Sequence, residues 1–474
     1  METQLAVIGA GPGGYAAAFM AADLGMHVTL VDLEPRLGGT CLLRGCIPSK
    51  ALLHVARTMA DAKHLVDWGV SFAEPTIDIE TLRTRKEELL QTLTGGLKQI
   101  GSRRKVRMIR ARASFEDART LRLTQVGDEP LDDDRIKFDH CIIATGSRPT
   151  KIRSLDLPTS RIMDSTVALQ LPDVPESLLV VGGGYIGLEM GTVYAALGSR
   201  VSVVELTDGL LPGADRDLVR PLQRRLAEQF EAIHLKTKVT AVADKGQAIE
   251  VTFKGDVEPN VQQFDRVLVA VGRRPNSDGL GLDATCVEVD NAGFIVTDKR
   301  GRTAESSILA VGDVTGEPML AHRASHQGKV VVEALGGMKT QFDPRAIPAV
   351  VFTDPEIAWA GLTETEAKQQ GHKVEAARFP WAASGRAQAV GRTEGMTKWI
   401  IDPDTDRLLG CGIVGVGAGE LIAEAVLAIE MGAEVRDLSD TIHPHPTMSE
   451  TLGAAAEVHL GTATDLYRPK RTRS

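Results

Sequence analysis

The 474-residue chain is poor in aromatic side chains, 4% of the total, and has only five cysteines. Spread over Cys41, Cys46, Cys141, Cys286 and Cys411, they exclude a disulfide-scaffolded secreted domain. There is no basic excess either: 54 Lys and Arg stand against 63 Asp and Glu, a net charge of −9, which argues against a nucleic-acid partner. No apolar run reaches the ~20 residues a membrane helix requires. The Ala-, Gly- and Val-rich beginning lacks Lys or Arg before Arg36 and is interrupted from Gly9 to Gly14, unlike a secretory signal. A cytoplasmic protein of roughly three domains is expected. Glycine, in contrast, is plentiful at 47 residues, which points to tight turns and to backbone approached closely by ligands.

One unit occurs twice. Gln4 to Ile8 reads as a buried parallel strand and runs into Gly9-Ala-Gly11-Pro-Gly-Gly14. An Ala-rich helix over Tyr15 to Leu24 follows, then a strand over His27 to Val31 ending at Asp32. Leu178 to Val181 likewise leads into Gly182-Gly-Gly184-Tyr-Ile186-Gly187, a small-residue helix to Leu197, and a strand over Arg200 to Val204 ending at Glu205. The first glycine makes the tight turn, the second admits a pyrophosphate to the backbone, and the third lets helix pack on strand. The helix N-terminus offers free N–H groups to the phosphates, and the acidic residue accepts from ribose hydroxyls. Two such units are strong evidence for two dinucleotides. Glu205 would repel a 2′-phosphate and Leu206-Thr207-Asp208 supplies no arginine to hold one, so NAD is favoured over NADP at the second unit.

Each unit closes on an apolar strand, Asp139 to Ala144 into Thr145-Gly146-Ser147-Arg148-Pro149 and Asp265 to Val271 into Gly272-Arg273-Arg274-Pro275. A third such strand, Ser307 to Val311, ends at Gly312-Asp313, where Asp313 is either a ligand contact or a turn-initiating cap. Thr76 to Ser102 reads as a solvated helix, Val126 to Arg135 as a hairpin or loop, and Arg468 to Arg473 as a solvated basic end. From about Ile347 the dinucleotide signals stop. Strands such as Met396 to Ile401 and a helix near Glu420 to Met431 make a different kind of domain.

The most informative stretch is Gly38-Gly39-Thr40-Cys41-Leu-Leu-Arg44-Gly-Cys46-Ile-Pro48-Ser-Lys50. Its cysteine spacing fits neither a Cys-x-x-Cys motif nor a zinc ribbon, and a structural disulfide here would contribute only about 2 kcal/mol. On a continuous helix, positions five apart point about 140° from each other, so joining them needs a bent helix start. A helix beginning there, with Pro48 in its first turn, would stabilise a thiolate at Cys46. A cycling dithiol beside a dinucleotide cradle accounts for the pattern better than two buried thiols.

With this stretch the chain resembles the FAD-dependent pyridine nucleotide–disulfide oxidoreductases. The resemblance spans nearly the whole chain, through both glycine motifs, Ala144 to Pro149, Gly312-Asp313, Pro318 to His322, Phe379 to Ala387 and His443-Pro-His445-Pro-Thr-Met-Ser-Glu450. It implies an α/β fold with two Rossmann-like dinucleotide-binding domains and an α+β interface domain. The implied boundaries are 1–150 for FAD, 151–275 for NAD, 276–346 completing the FAD domain, and 347–474 for dimerisation.

FAD would contact Gly9, Gly11, Gly14, Asp32, Gly39, Thr40, Lys50, Ala113, Thr145, Gly146, Asp313 and Ala321. NAD would contact Gly182, Gly184, Ile186, Gly187, Glu189, Glu205, Val239, Ala270, Gly272 and Arg273. Cys41 would meet substrate and Cys46 would face the flavin. His445, oriented by Glu450, would be the base, reaching the partner subunit of a homodimer. The implied reaction oxidises protein-bound dihydrolipoamide and passes hydride to NAD⁺, with the lipoyl domain and acyltransferase core of a 2-oxo-acid dehydrogenase complex as partners. The alternative is a related reductase of another low-molecular-weight disulfide. No metal is expected at His443 and His445, which lack nearby cysteine ligands. The chain departs from the family pattern at Leu43-Arg44, Ala113, Gln327 and Pro444; Arg44 either lowers a thiolate pKa or points to solvent.

Overall fold

The computed structural model describes residues 1–128 and 130–467; the basic end over 468–473 lies outside them. The first repeat forms the centre of a parallel sheet. Glu2–Ile8 lies between Val28–Asp32 and Arg135–Ile143, and Ile308–Ala310 is added beyond the latter. The buried parts of these strands are apolar on both faces: Leu5, Val7, Leu30 and Ile142 pack with the helical Ala17, Ala18 and Val331 on one, and Ala6, Ile8 and Ile143 pack with the strand residues Phe115 and Leu121 on the other. An antiparallel excursion, Arg107–Asp117 and Thr120–Gln125, closes one end of it.

The helix Pro12–Asp23 buries Ala16, Ala17, Ala18 and Ala21 and packs against Ala321–Leu335. Small side chains allow that approach: a Cβ at Gly328 would stand 2.6 Å from the Gly13 carbonyl oxygen. The second repeat makes a separate five-stranded parallel sheet in the order 232–234, 200–204, 177–181, 266–269, 162–163. A short antiparallel ribbon, Ser147–Pro149 with Arg273–Pro275, ties the two units together. The third unit is a five-stranded antiparallel sheet from Ala349–Val351 to Leu408–Gly415, covered by Ala418–Met431 and Glu450–Leu460 around the buried Trp381 and Trp399.

The expected solvated helix is Ile79–Arg103, capped by the Asp78 side chain. Strand boundaries move by up to four residues from the sequence reading: the strand before the acidic residue is Val28–Asp32, the one before Gly272 stops at Val269, and the one before Thr145 already begins at Arg135. No helix among the described residues is long and apolar enough to cross a membrane.

Candidate active site

Within each glycine turn the glycines divide the labour. A Cβ at Gly9 would meet the Ala144 carbonyl oxygen at 2.3 Å, and one at Gly14 the Gly9 oxygen at 1.8 Å. Gly182 and Gly187 are closed in the same way, by the Ala270 oxygen at 2.4 Å and the Gly182 oxygen at 2.2 Å. The middle glycines are open: nothing lies within 4 Å of the Cβ position at Gly184, and only the Gly39 backbone, at 3.9 Å, faces Gly11. The outer glycines therefore serve strand–helix packing, while the middle ones leave space in front of helix starts that carry no side-chain cap. These cradles fit the pyrophosphates of FAD and NAD.

The acidic residues repeat the symmetry. Asp32 accepts from the amides of Ala10 and Glu34, and Glu205 from those of Gly183 at 2.7 Å and Thr207 at 2.8 Å. Each carboxylate thus props up the residue after the first glycine. Burial pushes Asp32 above the usual carboxylate range against its two amide bonds. Asp32 lines the first cleft, whereas Glu205 is buried behind Gly183.

That first cleft, about 610 Å³, gathers Gly39, Thr40, Ala113, Thr145, Gly146, Asp313 and Ala321 around Cys41, Cys46 and Lys50. The cysteines sit on either side of a helix break. One helix, Gly39–Arg44, ends at Gly45 (φ −146°, ψ −114°), and the next, Cys46–His64, begins at the second cysteine. A Cβ at Gly45 would meet the Thr40 carbonyl oxygen at 2.8 Å, so glycine is required for the bend. Both thiols are free, both line this cleft, and each acts on the acidity of the other.

The pair is asymmetric in acidity. Cys41, with Lys50 adding to its effect, lowers Cys46 to about 7 despite its desolvation. Cys46 in turn, together with burial, raises Cys41. The first proton therefore leaves the pair from Cys46.

Lys50 donates to both oxygens of Glu189, at 2.8 and 3.0 Å, and Glu189 also accepts from the Phe352 amide at 3.0 Å. Glu189 is 3% exposed, so a lysine of the first unit neutralises a buried carboxylate of the second. Arg44 pairs with Glu34 at the edge of the cleft, where its side chain stays 35% exposed; of its two readings the solvent one fits, since its charge is not among those that shift either thiol.

The second cleft, about 1180 Å³, is lined by Gly184, Ile186, Ala270, Gly272 and Arg273. Val239 is not at this cleft: its strand turns it into the core with Phe253 and Phe264. Tyr185, Ile186, Arg273 and Met319 line both clefts and form their common wall. Asp313 accepts from the Ser147 hydroxyl at 2.5 Å, and that hydroxyl accepts from Arg273 Nε at 2.8 Å. Ser147, Tyr185 and Met319 were missed as site residues; their signal was position alone, each lying directly beside a motif glycine or within the Pro318–His322 stretch.

His445 Nδ1 donates to Glu450 Oε1 at 2.8 Å, and the other carboxylate oxygen accepts from the Thr447 amide at 2.7 Å. That leaves Nε2 as the free acceptor. Burial acts to raise Glu450, but the Thr447 amide and His445 hold it below its usual range. His445 is 79% exposed and lines neither cleft of its own chain. His443, in contrast, is spent on Glu424, at 2.7 Å, and on the Thr441 carbonyl.

Residues 3–328 match the model of the pyridine nucleotide-disulphide oxidoreductase family, and residues 347–456 that of its dimerisation domain. Dihydrolipoyl dehydrogenase of Haemophilus influenzae is 48% identical over 99% of this chain and 98% of its own length. The enzyme of the same name from Vibrio parahaemolyticus is 46% identical over 100% and 99%. Among solved structures, LpdA of Mycobacterium tuberculosis is similar with a TM-score of 0.88 at 26% identity, covering 96% of this chain and 99% of that one. The flavoprotein disulfide reductase RclA of Escherichia coli gives 0.85 at 28%, covering 97% and 99%.

Proposed function

The chain belongs to the pyridine nucleotide-disulphide oxidoreductase family, using FAD and NAD, and from that premise we propose that it oxidises protein-bound dihydrolipoamide to lipoamide through Cys41 and Cys46. We assign residues 1–150 with 276–346 to the FAD-binding unit, 151–275 to the NAD-binding unit and 347–474 to the dimer interface. The observation that carries the reading is the cysteine pair itself, two thiols of opposed acidity on either side of a helix break inside the first cleft.

The chemistry follows from which sulfur leaves. Starting from the Cys41–Cys46 disulfide, a substrate thiolate attacks Cys41; a bond forms between those sulfurs and Cys46 departs as a thiolate. The sulfur with the lower pKa is the better leaving group, and Lys50 in the same cleft favours its negative charge. The second substrate thiol, once deprotonated, attacks its own partner sulfur and releases Cys41, which takes up a proton. Substrate leaves as the cyclic disulfide and the enzyme pair is reduced by two electrons. FAD supplies the two-electron link from the reduced pair to NAD⁺.

A free alkyl thiol is only about 3% thiolate at pH 7, so proton removal has to be assisted. His445 Nε2 is the base, its tautomer held by Glu450. Because His445 is exposed and away from its own chain's clefts, it serves the cleft of a second copy, and the homodimer brings base and dithiol together. The negative, cysteine-poor chain operates in the cytoplasm, and a lipoyl domain carried on the acyltransferase core of a 2-oxo-acid dehydrogenase complex presents the substrate.

Anaerobic mixing of the FAD-loaded protein with dihydrolipoamide tests the reading. A long-wavelength thiolate–flavin absorbance should appear and be discharged as NADH forms on adding NAD⁺. Absence of the band, or full NADH production by Cys46→Ser, would refute it.

A further inference from the structure

One wall of the second cleft is the loop Leu211-Pro212-Gly213. It is fastened from two sides. Leu211 donates its amide to the Gly183 carbonyl at 2.9 Å, so the loop rests on the second glycine turn. Arg216 donates to the carbonyls of Leu210, Leu211 and Ala214 at 2.6–2.7 Å. Leu211 itself lies at φ +50°, a left-handed conformation that a leucine keeps only where its surroundings hold it.

Between loop and helix stands Asp215, in the N-cap position of Arg216–Gln229. An aspartate there ordinarily accepts from its own helix's amides, which is worth about 1 kcal/mol elsewhere. Asp215 does not cap its helix. Its carboxylate instead takes four donors, all from the third unit: Lys398 Nζ at 2.6 Å, the amides of Glu364 at 3.1 Å and Thr365 at 3.2 Å, and the Thr365 hydroxyl at 3.0 Å.

Lys398 is fully buried and also reaches Asp217 at 2.7 Å and Glu364 at 2.9 Å. Arg378 adds a second cation, on Asp217 and Glu364 but not on Asp215. The carboxylates of Asp215, Asp217 and Glu364 have the spacing of a metal site, but the lysine ammonium takes the place at their centre.

A buried ion cluster contributes little net stability over an apolar replacement, whereas it fixes geometry closely. Giving up a helix cap to reach another unit is a local rule broken for a gain elsewhere. We propose that Lys398, acting through Asp215, is a positioning residue for the NAD⁺ site, by which the interface domain holds the loop wall of the second cleft in place for the nucleotide. The inference rests on the reading that the second unit binds NAD⁺.

Asp215→Asn keeps the side chain's shape and leaves Lys398 its two other carboxylates, while Arg378→Met removes a cation from the same cluster without touching Asp215. Calorimetric titration of the FAD-loaded dimers with NAD⁺ should show about tenfold weaker binding for Asp215→Asn. Its FAD content and its long-wavelength band with dihydrolipoamide should match the parent. Arg378→Met should melt at a lower temperature yet bind NAD⁺ within twofold of the parent. Parent-like affinity in Asp215→Asn, or equal weakening by both substitutions, overturns the proposal, the second because the cluster would then act through stability alone. A parent enzyme that fails to bind NAD⁺ overturns the reading of the second unit as well, and so is distinguishable from failure of the latch.

Discussion

Replacing His445 by glutamine removes a base while retaining a side chain that can hydrogen-bond Glu450. Glu450 holds its carboxylate in place through the Thr447 amide as well as through His445, so the loop geometry survives the change. General-base assistance is worth about 10²–10⁴-fold, and at pH 7 the unassisted route draws on the ~3% of substrate already ionised. Dihydrolipoamide oxidation at pH 7 should therefore fall by at least about a hundredfold. The thiolate fraction rises about tenfold per pH unit up to the thiol pKa near 8.5, so the defect should shrink steeply between pH 7 and 8.5. Steady-state NADH formation over that range measures it. NADH-dependent reduction of an artificial dye, which bypasses the dithiol, should be unchanged and serves as the control. A defect that is the same at pH 7 and 8.5, or undiminished turnover, would refute the assignment of His445 as base.

Three further outcomes follow from the site. Because its partner Cys41 lowers Cys46 to about 7, the thiolate band of the two-electron-reduced enzyme should grow as pH rises through about 7 and vanish below about 5; a midpoint near 9, from spectrophotometric titration, would contradict the asymmetry. Gly184→Ala adds a methyl into open space, so it should leave the melting temperature unchanged and weaken NAD⁺ binding; Gly187→Ala drives a methyl to 2.2 Å from a carbonyl oxygen and should cost about 1–3 kcal/mol in denaturant unfolding. Equal stability of the two variants would break the proposed division among the glycines. Lys50→Met strands the buried Glu189 carboxylate and should destabilise by about 3 kcal/mol, and Lys50→Met with Glu189→Gln should recover most of that loss; absence of recovery would mean the ion pair is not the cause.

Much of the site was legible because its causes are local. Glycine spacing reports steric closure within one strand–turn–helix unit, as Gly14 against the Gly9 carbonyl illustrates. The five-residue cysteine separation demanded a bent helix start, and Gly45 supplies it. Likewise Glu450 lies only five positions after His445, so their pairing needs no distant segment. Placement of Val239 was not legible, since which face of a strand meets a cleft depends on how the sheet is packed.

By itself the sequence determined the two glycine turns with their acidic residues, the cysteine pair and the His–Glu pair, whose members recur at fixed short spacings along the chain. Tertiary structure alone decided who partners whom between segments far apart in the chain. Lys50 meets Glu189 139 positions away, Ser147 meets Asp313 across 166, and Lys398 turns Asp215 from its own helix across 183. A charged side chain taken out of water has to find an opposite charge or hydrogen-bond donors nearby, and only the packing of one unit on another settles which group that is.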